Sequence, residues 1–307
     1  MEFIWIPLSV FAAFMQAIRT AAQKTLNQRM STLGTTYVRS LAGLPFLVLF
    51  LGVVLGVQGG GMPTWHAAFL TLAAAGALTQ VIATALLIRL FTLKTFAVGS
   101  MLVKSDILMT AMIGSLWFSE DLSLLGWVAL LVVLAGVLLL LGARFGPRAL
   151  APDEATLGGV LGTRATRIAL GCALMFSFSY LFVREATLAI GPGSFLWRGG
   201  WTVVVVTGTQ VICLGAWLAV TEPAAFKQLW PNRRLVGFIG LTSALGSIGW
   251  FTAFALENAS YVRAVAQVEA VFTLLISWLY FRESVKVSEV AGIVVMIVGV
   301  LMFRLVD

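Results

Sequence analysis

Lys104, Asp106 and Glu269 stand near the middles of two apolar stretches, 96–118 and 261–281, in a chain of 307 residues. An ionisable group at the centre of a membrane-spanning helix costs about 2.5–3.5 kcal/mol on insertion scales, so all three must face water, a substrate or one another. An ammonium there can hold an anionic substrate, and a carboxyl there can load and release a proton. On this reading Lys104 binds substrate, while Glu269, with Asp106, couples its movement to protons. A plainer reading pairs Lys104 with a carboxylate across the bundle, as a neutral lock between helices. Side chains two positions apart on a continuous helix point to nearly opposite faces, so only one of Lys104 and Asp106 is expected to line a cavity.

Arginine adds a second kind of grip, because a guanidinium holds carboxylate or phosphate through two parallel hydrogen bonds. Arg19 lies deep in its stretch and is a candidate substrate contact. Arg39 and Arg198, nearer the starts of theirs, are read instead as reaching headgroups or loop carbonyls. Gln16, Gln23, Gln80, Ser177, Ser179, Tyr180, Trp250, Tyr261 and Gln267 place polar and aromatic groups among apolar neighbours. Most are expected to be polar glue between helices; Tyr180, Trp250 and Gln267, then Gln80, are taken as substrate contacts. Gly246, Gly249, Gly292 and Gly299 are read as close helix contacts.

Enzymatic chemistry has little material. His66 is the single histidine, beside Trp65, which leaves nothing for a Ser-His or Cys-His pair or a histidine metal site. Gly59-Gly60-Gly61 lacks the Lys of a phosphate-cradling loop. No catalytic residue, metal or cofactor is expected. The rivals are a membrane-embedded lipid- or metabolite-processing enzyme using Asp106 and Glu269, and a channel or scaffold, which would not need midplane charges.

The elements that must position these groups follow from composition. Hydrophobic residues make up 60% of the chain and charged residues 11%, against roughly 45–50% and about 25% in soluble domains. The net charge of +7 forms no basic stripe for nucleic acid and reads as membrane orientation. Cys172 and Cys213 lie inside apolar stretches and suggest no disulfide framework. Without a basic leader before Phe3-Ile4-Trp5, the first stretch is expected to remain as a helix.

Ten apolar spans of bilayer-crossing length can be drawn: 3–26, 33–56, 66–90, 96–118, 123–142, 166–189, 194–220, 234–256, 261–281 and 287–305. The fold class is therefore an all-α membrane protein of ten transmembrane helices. Gln58-Gly59-Gly60-Gly61-Met62-Pro63, Gly191-Pro192-Gly193 and Pro231-Asn232-Arg233-Arg234 break the spans. The polar insert 144–165 separates a first half, 1–143, from a second, 166–307.

The halves repeat. Trp117-Phe118-Ser119-Glu120 matches Tyr280-Phe281-Arg282-Glu283, an acid (Asp106 or Glu269) precedes each Glu by 14 positions, and Gly-Val-Leu begins 16 positions after each, at Gly136 and Gly299. Arg39 likewise resembles Arg198. A shared pattern at constant offset argues for duplication, and five helices per half would turn the second copy upside down in the membrane. These motifs resemble the paired EamA modules of the drug/metabolite transporter superfamily, over nearly the whole chain. The resemblance implies a secondary transporter, an exporter in the inner (plasma) membrane of a bacterium, and leaves the substrate open; the arginines favour a small polar, zwitterionic or anionic metabolite, amino-acid-like or an organic acid. The resemblance also implies a cavity lined by spans 1, 3, 6, 8 and 9. Many relatives have Pro after the acid of span 9, where this chain has Ala270. The partners expected are a small-molecule substrate, the lipid bilayer and protons, in a monomer or homodimer.

Segments joining spans 1–2, 3–4, 5–6, 7–8 and 9–10 carry thirteen Lys and Arg, from Lys24 and Arg29 to Arg282 and Lys286, against three opposite: Arg184, Arg263 and Arg304. The positive side stays in the cytoplasm, so both termini are expected to face away from it.

Overall fold

The computed structural model describes residues 3–59, 61–91, 101–145, 164–279 and 286–306. Most of the 144–165 insert and the Tyr280-Phe281-Arg282-Glu283 motif lie outside them. Every regular element among the described residues is helical: α1 (Trp5–Leu26), α2 (Thr32–Gln58), α3 (Ala67–Phe91), α4 (Asp106–Trp117), α5 (Leu124–Phe145), α6 (Arg164–Ala189), α7 (Phe195–Thr221), α8 (Arg233–Phe254), α9 (Ala259–Val265), α10 (Glu269–Leu279) and α11 (Val287–Met302). Eight helical stretches among these residues are long and apolar enough to cross a membrane, led by Leu124–Gly142 with mean hydropathy 2.9. Large apolar side chains in mid-helix point outward: Leu49 is 66% exposed, Ile212 72% and Val294 55%. Water would not tolerate so continuous an apolar exterior, whereas hydrocarbon does.

The duplication is written in the helix ends. α2 and α7 run Thr32–Gln58 and Phe195–Thr221, α1 and α6 end at Leu26 and Ala189, and α3 and α8 end at Phe91 and Phe254. α4 and α10 begin at Asp106 and Glu269, and α5 and α11 at Leu124 and Val287. Each pair is separated by 163 positions, as 195 is from 32. The caps repeat as well. Ser31 (φ −62°, ψ 156°) accepts a hydrogen bond from the Gly34 N–H through its hydroxyl, and Ser194 (φ −63°, ψ 156°) does the same for Trp197. Such caps satisfy one of the orphan N–H groups of a helix start. This register corrects one match: Arg39 is the eighth residue of α2 and Arg198 only the fourth of α7. Arg39 thus lies one turn further in, by about 6 Å.

Two compact units form, each drawing on both halves. Unit 1 is Met1–Val81 with Ser179–Asn258, and unit 2 is Ile82–Phe178 with Ala259–Asp307. In unit 1, α8 packs against α1 and α2, and α2 against α7. In unit 2, α5 packs along α11, and α4 meets α9. Lipid tails are as apolar as leucine, so helices in a bilayer associate by close backbone approach at small residues. A Cβ on Gly240 would sit 2.4 Å from the Ala42 carbonyl oxygen, and one on Gly136 2.5 Å from the Met296 nitrogen. Gly292 approaches Leu140, Gly299 Val133, Gly249 Ala12 and, less closely, Gly246 Met15, so the glycines read as helix contacts are such contacts.

Candidate functional site

In unit 2 the helix carrying the first acid is interrupted just before it. Residues 101–103 are helical, Lys104 and Ser105 form a turn, and α4 restarts at Asp106. The second half repeats the device: α9 ends at Val265, Ala266–Val268 tighten into a 3₁₀ turn, and α10 begins at Glu269. No proline is needed. Ser105 turns its hydroxyl back to the Leu102 carbonyl at 2.7 Å, a local bond that competes with the helical ladder. At the first restart the Lys104, Ser105 and Ile107 N–H groups turn to carbonyls three positions back, and at both restarts an acid stands in the first turn, where it complements the positive end of the helix dipole. Because Lys104 and Asp106 do not share a continuous helix, the opposite-face argument does not apply to them.

Asp106 is 2% exposed, and its Oδ2 accepts a hydrogen bond from Arg263 Nη2 at 2.6 Å. Its backbone carbonyl accepts from Thr110 Oγ1 at 2.6 Å and from Ser177 Oγ at 3.1 Å. Arg263 is therefore not an end-of-helix cation counted for orientation; it is the fifth residue of α9 and the partner of the first acid. The Arg263 carbonyl also accepts from Gln267 Nε2 at 3.2 Å, which identifies the remaining amide atom of Gln267 as the oxygen. Among the described residues, neither Asp106 Oδ1 nor Gln267 Oε1, both buried, has a hydrogen-bond partner. Lys104 and Glu269 are partly buried beside the two interruptions. Among the described residues, the ion pair at Asp106 is made by Arg263.

Glu120, the acid of the repeated turn, is a clamp. Ser119 adopts a left-handed φ of 52°, and the Glu120 N–H returns to the Gly114 carbonyl at 3.0 Å. The carboxylate then lies over Gly114, where a Cβ would meet Oε2 at 2.6 Å. It accepts from the Ala259 N–H at 2.6 Å, the Ser260 N–H at 3.3 Å and the Ser260 hydroxyl, capping α9. Tyr261 is structural too: its hydroxyl accepts from the Ser123 N–H at 3.3 Å, and its ring lies 5.0 Å from that of Phe303.

Unit 1 holds the other candidates. Trp250 Nε1 donates to Gln16 Oε1 at 3.2 Å, joining α8 to α1. Gln210, 4% exposed in α7, donates to Gln80 Oε1 of α3 and accepts from Ser40 Oγ at 3.2 Å. Tyr180 stacks in a tilted pair with Phe254, ring centres 6.3 Å apart. Arg19 is partly buried in α1. Arg198 donates to the Ala255 carbonyl at 3.1 Å, the loop-carbonyl role read for it. The substrate candidates therefore divide, with Arg19, Gln80, Tyr180 and Trp250 in unit 1 and Lys104, Asp106, Gln267 and Glu269 in unit 2. Gln210 and Arg263 were missed. A lone amide in a 27-residue apolar helix, and an arginine four positions before Gln267, were the available signals.

A duplicated, all-helical chain with an apolar exterior and charges held at helix interruptions is an integral membrane protein of the kind that moves solutes. The chain belongs to the EamA-like transporter family of the drug/metabolite transporter superfamily, whose profile matches residues 3–142 and 165–305. No curated protein matches the sequence. A solved crystal structure shares the fold with a TM-score of 0.70 over 99% of this chain and 98% of its own, at 14% identity.

Proposed function

We propose that the protein is a secondary active transporter that exports a small polar, zwitterionic or anionic metabolite, amino-acid-like or an organic acid, by alternating access. The observation that carries this reading is the interruption of a membrane helix immediately before an acid in each half, at Lys104–Ser105 and at Ala266–Val268. Interrupted helices place backbone dipoles and charged side chains at midplane depth, where a transported solute and its coupling ion bind. Five spans per half would set the second copy inverted against the first. Lys104 attracts the acidic group of the substrate. Glu269, which opens α10 at the matching restart of the second half, carries the coupling proton. The direction of transport follows the relatives.

Purified protein in proteoliposomes is expected to move labelled organic or amino acids across the membrane unchanged. Product formation without transmembrane movement would instead identify an enzyme.

With Arg263 assigned to the interior, the Lys and Arg excess beside the cytoplasmic ends grows, and both termini face away from the cytoplasm. A reporter active only in the cytoplasm, fused after Asp307, is expected to stay silent; activity there would reverse the topology.

A further inference from the structure

Asp106 and Gln267 stand at the two helix interruptions of unit 2 and are 2% and 1% exposed. Arg263 occupies one end of each. Its Nη2 donates to Asp106 Oδ2 at 2.6 Å, and its backbone carbonyl accepts from Gln267 Nε2 at 3.2 Å. A carbonyl can only accept, so the amide nitrogen must face Arg263 and the remaining end of the Gln267 side chain is its oxygen. The bond to Asp106 is likewise single-pronged and leaves Oδ1 over. Among the described residues of unit 2, Asp106 Oδ1 and Gln267 Oε1 are the buried side-chain oxygens without a hydrogen-bond partner.

Buried acceptors are ordinarily paired, and two of them at the interruptions call for a donor from outside the chain. A carboxylate oxygen and an amide oxygen suit an ammonium, whose three N–H groups can serve both. Charge narrows the donor further. Lys104, Asp106, Arg263 and Glu269, the ionisable groups of the two interruptions, balance when ionised, so a bare amine or a metal cation would add a surplus positive charge inside the bundle. A zwitterion brings its own counter-charge. Lys104, which the proposed function assigns to the acid of the substrate, lies 163 positions before Gln267, the offset of the repeat. Matched positions of the two interruptions thus carry opposite hydrogen-bond polarity, a donor at Lys104 and an acceptor at Gln267, as the two ends of an amino acid require.

We propose that Asp106 Oδ1 and Gln267 Oε1 form the ammonium-binding end of a substrate site inside unit 2, so that the substrate is an amino acid rather than a simple organic acid. The proposal rests on the reading of the protein as a transporter of zwitterionic or anionic metabolites and chooses the zwitterion.

The test is thermal shift and calorimetric titration of the detergent-purified full chain with three sets of probes: L-alanine, propionate and ethylamine; L-leucine, 4-methylpentanoate and 3-methylbutylamine; L-phenylalanine, 3-phenylpropionate and 2-phenylethylamine. Each set keeps one side chain and removes the ammonium or the carboxylate in turn. Saturable stabilisation by at least one amino acid is expected, with its deaminated acid and its amine each bound roughly 10- to 100-fold more weakly, as for a lost hydrogen bond to a charged group. Gln267→Met keeps the volume without the oxygen, so it should lose most of the preference for the amino acid while the deaminated acid binds as before. A merely structural role would move both ligands alike. Gln267→Glu keeps an acceptor and should retain the preference. No response to any of the amino acids, or an amino acid bound no better than its acid or its amine, would overturn the proposal. A preference untouched in Gln267→Met would leave the two oxygens to a structural water and also overturn it. Stabilisation by sodium chloride over choline chloride that needs Gln267, without an amino-acid response, would assign them to a metal cation instead. Uptake of labelled propionate by proteoliposomes without an amino-acid response removes the ammonium site alone, whereas no transport of either class removes the transporter reading with it.

Discussion

Arg263→Gln is expected to destabilise the folded protein by about 3–5 kcal/mol, because it strands Asp106 as a buried charge without its partner. The carboxylate is 3% exposed and its other oxygen already lacks a donor, so nothing among the described residues can replace the lost 2.6 Å bond. Asp106→Asn should also destabilise, because it strands the Arg263 guanidinium in turn, although the amide oxygen can still accept its hydrogen bond. The double variant Arg263→Gln, Asp106→Asn should cost less than the two single changes together, because neither charge is then stranded. Unfolding in detergent micelles, read by helical circular dichroism across the double-mutant cycle, measures the coupling. Additive effects of the two single changes would mean that the pair does not act as a lock.

Glu120→Ala is expected to cost a similar amount, about 3–5 kcal/mol, for a different reason. Three donors at the start of α9, the Ala259 and Ser260 N–H groups and the Ser260 hydroxyl, converge on this carboxylate. Hydrogen bonds to a charged group contribute about 1.5–3 kcal/mol each and do not add fully. Glu120→Gln keeps the shape and one acceptor oxygen, so it should lose roughly half as much. The same unfolding assay checks both, and equal stability of Glu120→Ala and the wild type would show that the start of α9 is capped by something else.

Much of this fold was legible because membrane helices announce themselves by apolar length and because the duplication left its register in residues of different kinds. Asp106 with Glu269, Glu120 with Glu283, and the two Gly-Val-Leu runs share one offset, and the Ser31 and Ser194 caps fall on it. Matching Arg39 to Arg198 by residue type alone missed that register by one turn. The site was harder to read. The cap of α9 comes from Glu120, 139 positions away, so no local rule starts a helix at Ala259 or draws Arg263 into it. The interruption at Ala266–Val268 contains neither Pro nor Gly and is invisible to turn chemistry. Gln80 and Trp250 were recognisable as polar groups in apolar helices, but their partners, Gln210 and Gln16, are set by helix packing.

The proposed function gives the two acids different tasks. Asp106 is tied to Arg263 and holds α4 to α9, whereas Glu269 opens α10 at the matching position of the second half and is only partly buried. On the proposed reading, Glu269 is the group that changes protonation between the inward- and outward-facing states.

The most direct measurement compares wild type and Glu269→Gln in proteoliposomes loaded with the solute that stabilises the purified protein. Exchange of labelled for unlabelled solute at equal pH is expected to proceed in both, because the amide keeps the shape of the site. Accumulation driven by a pH gradient is expected in the wild type alone. Accumulation that survives in Glu269→Gln, or exchange that fails in a variant with wild-type stability, would contradict the account.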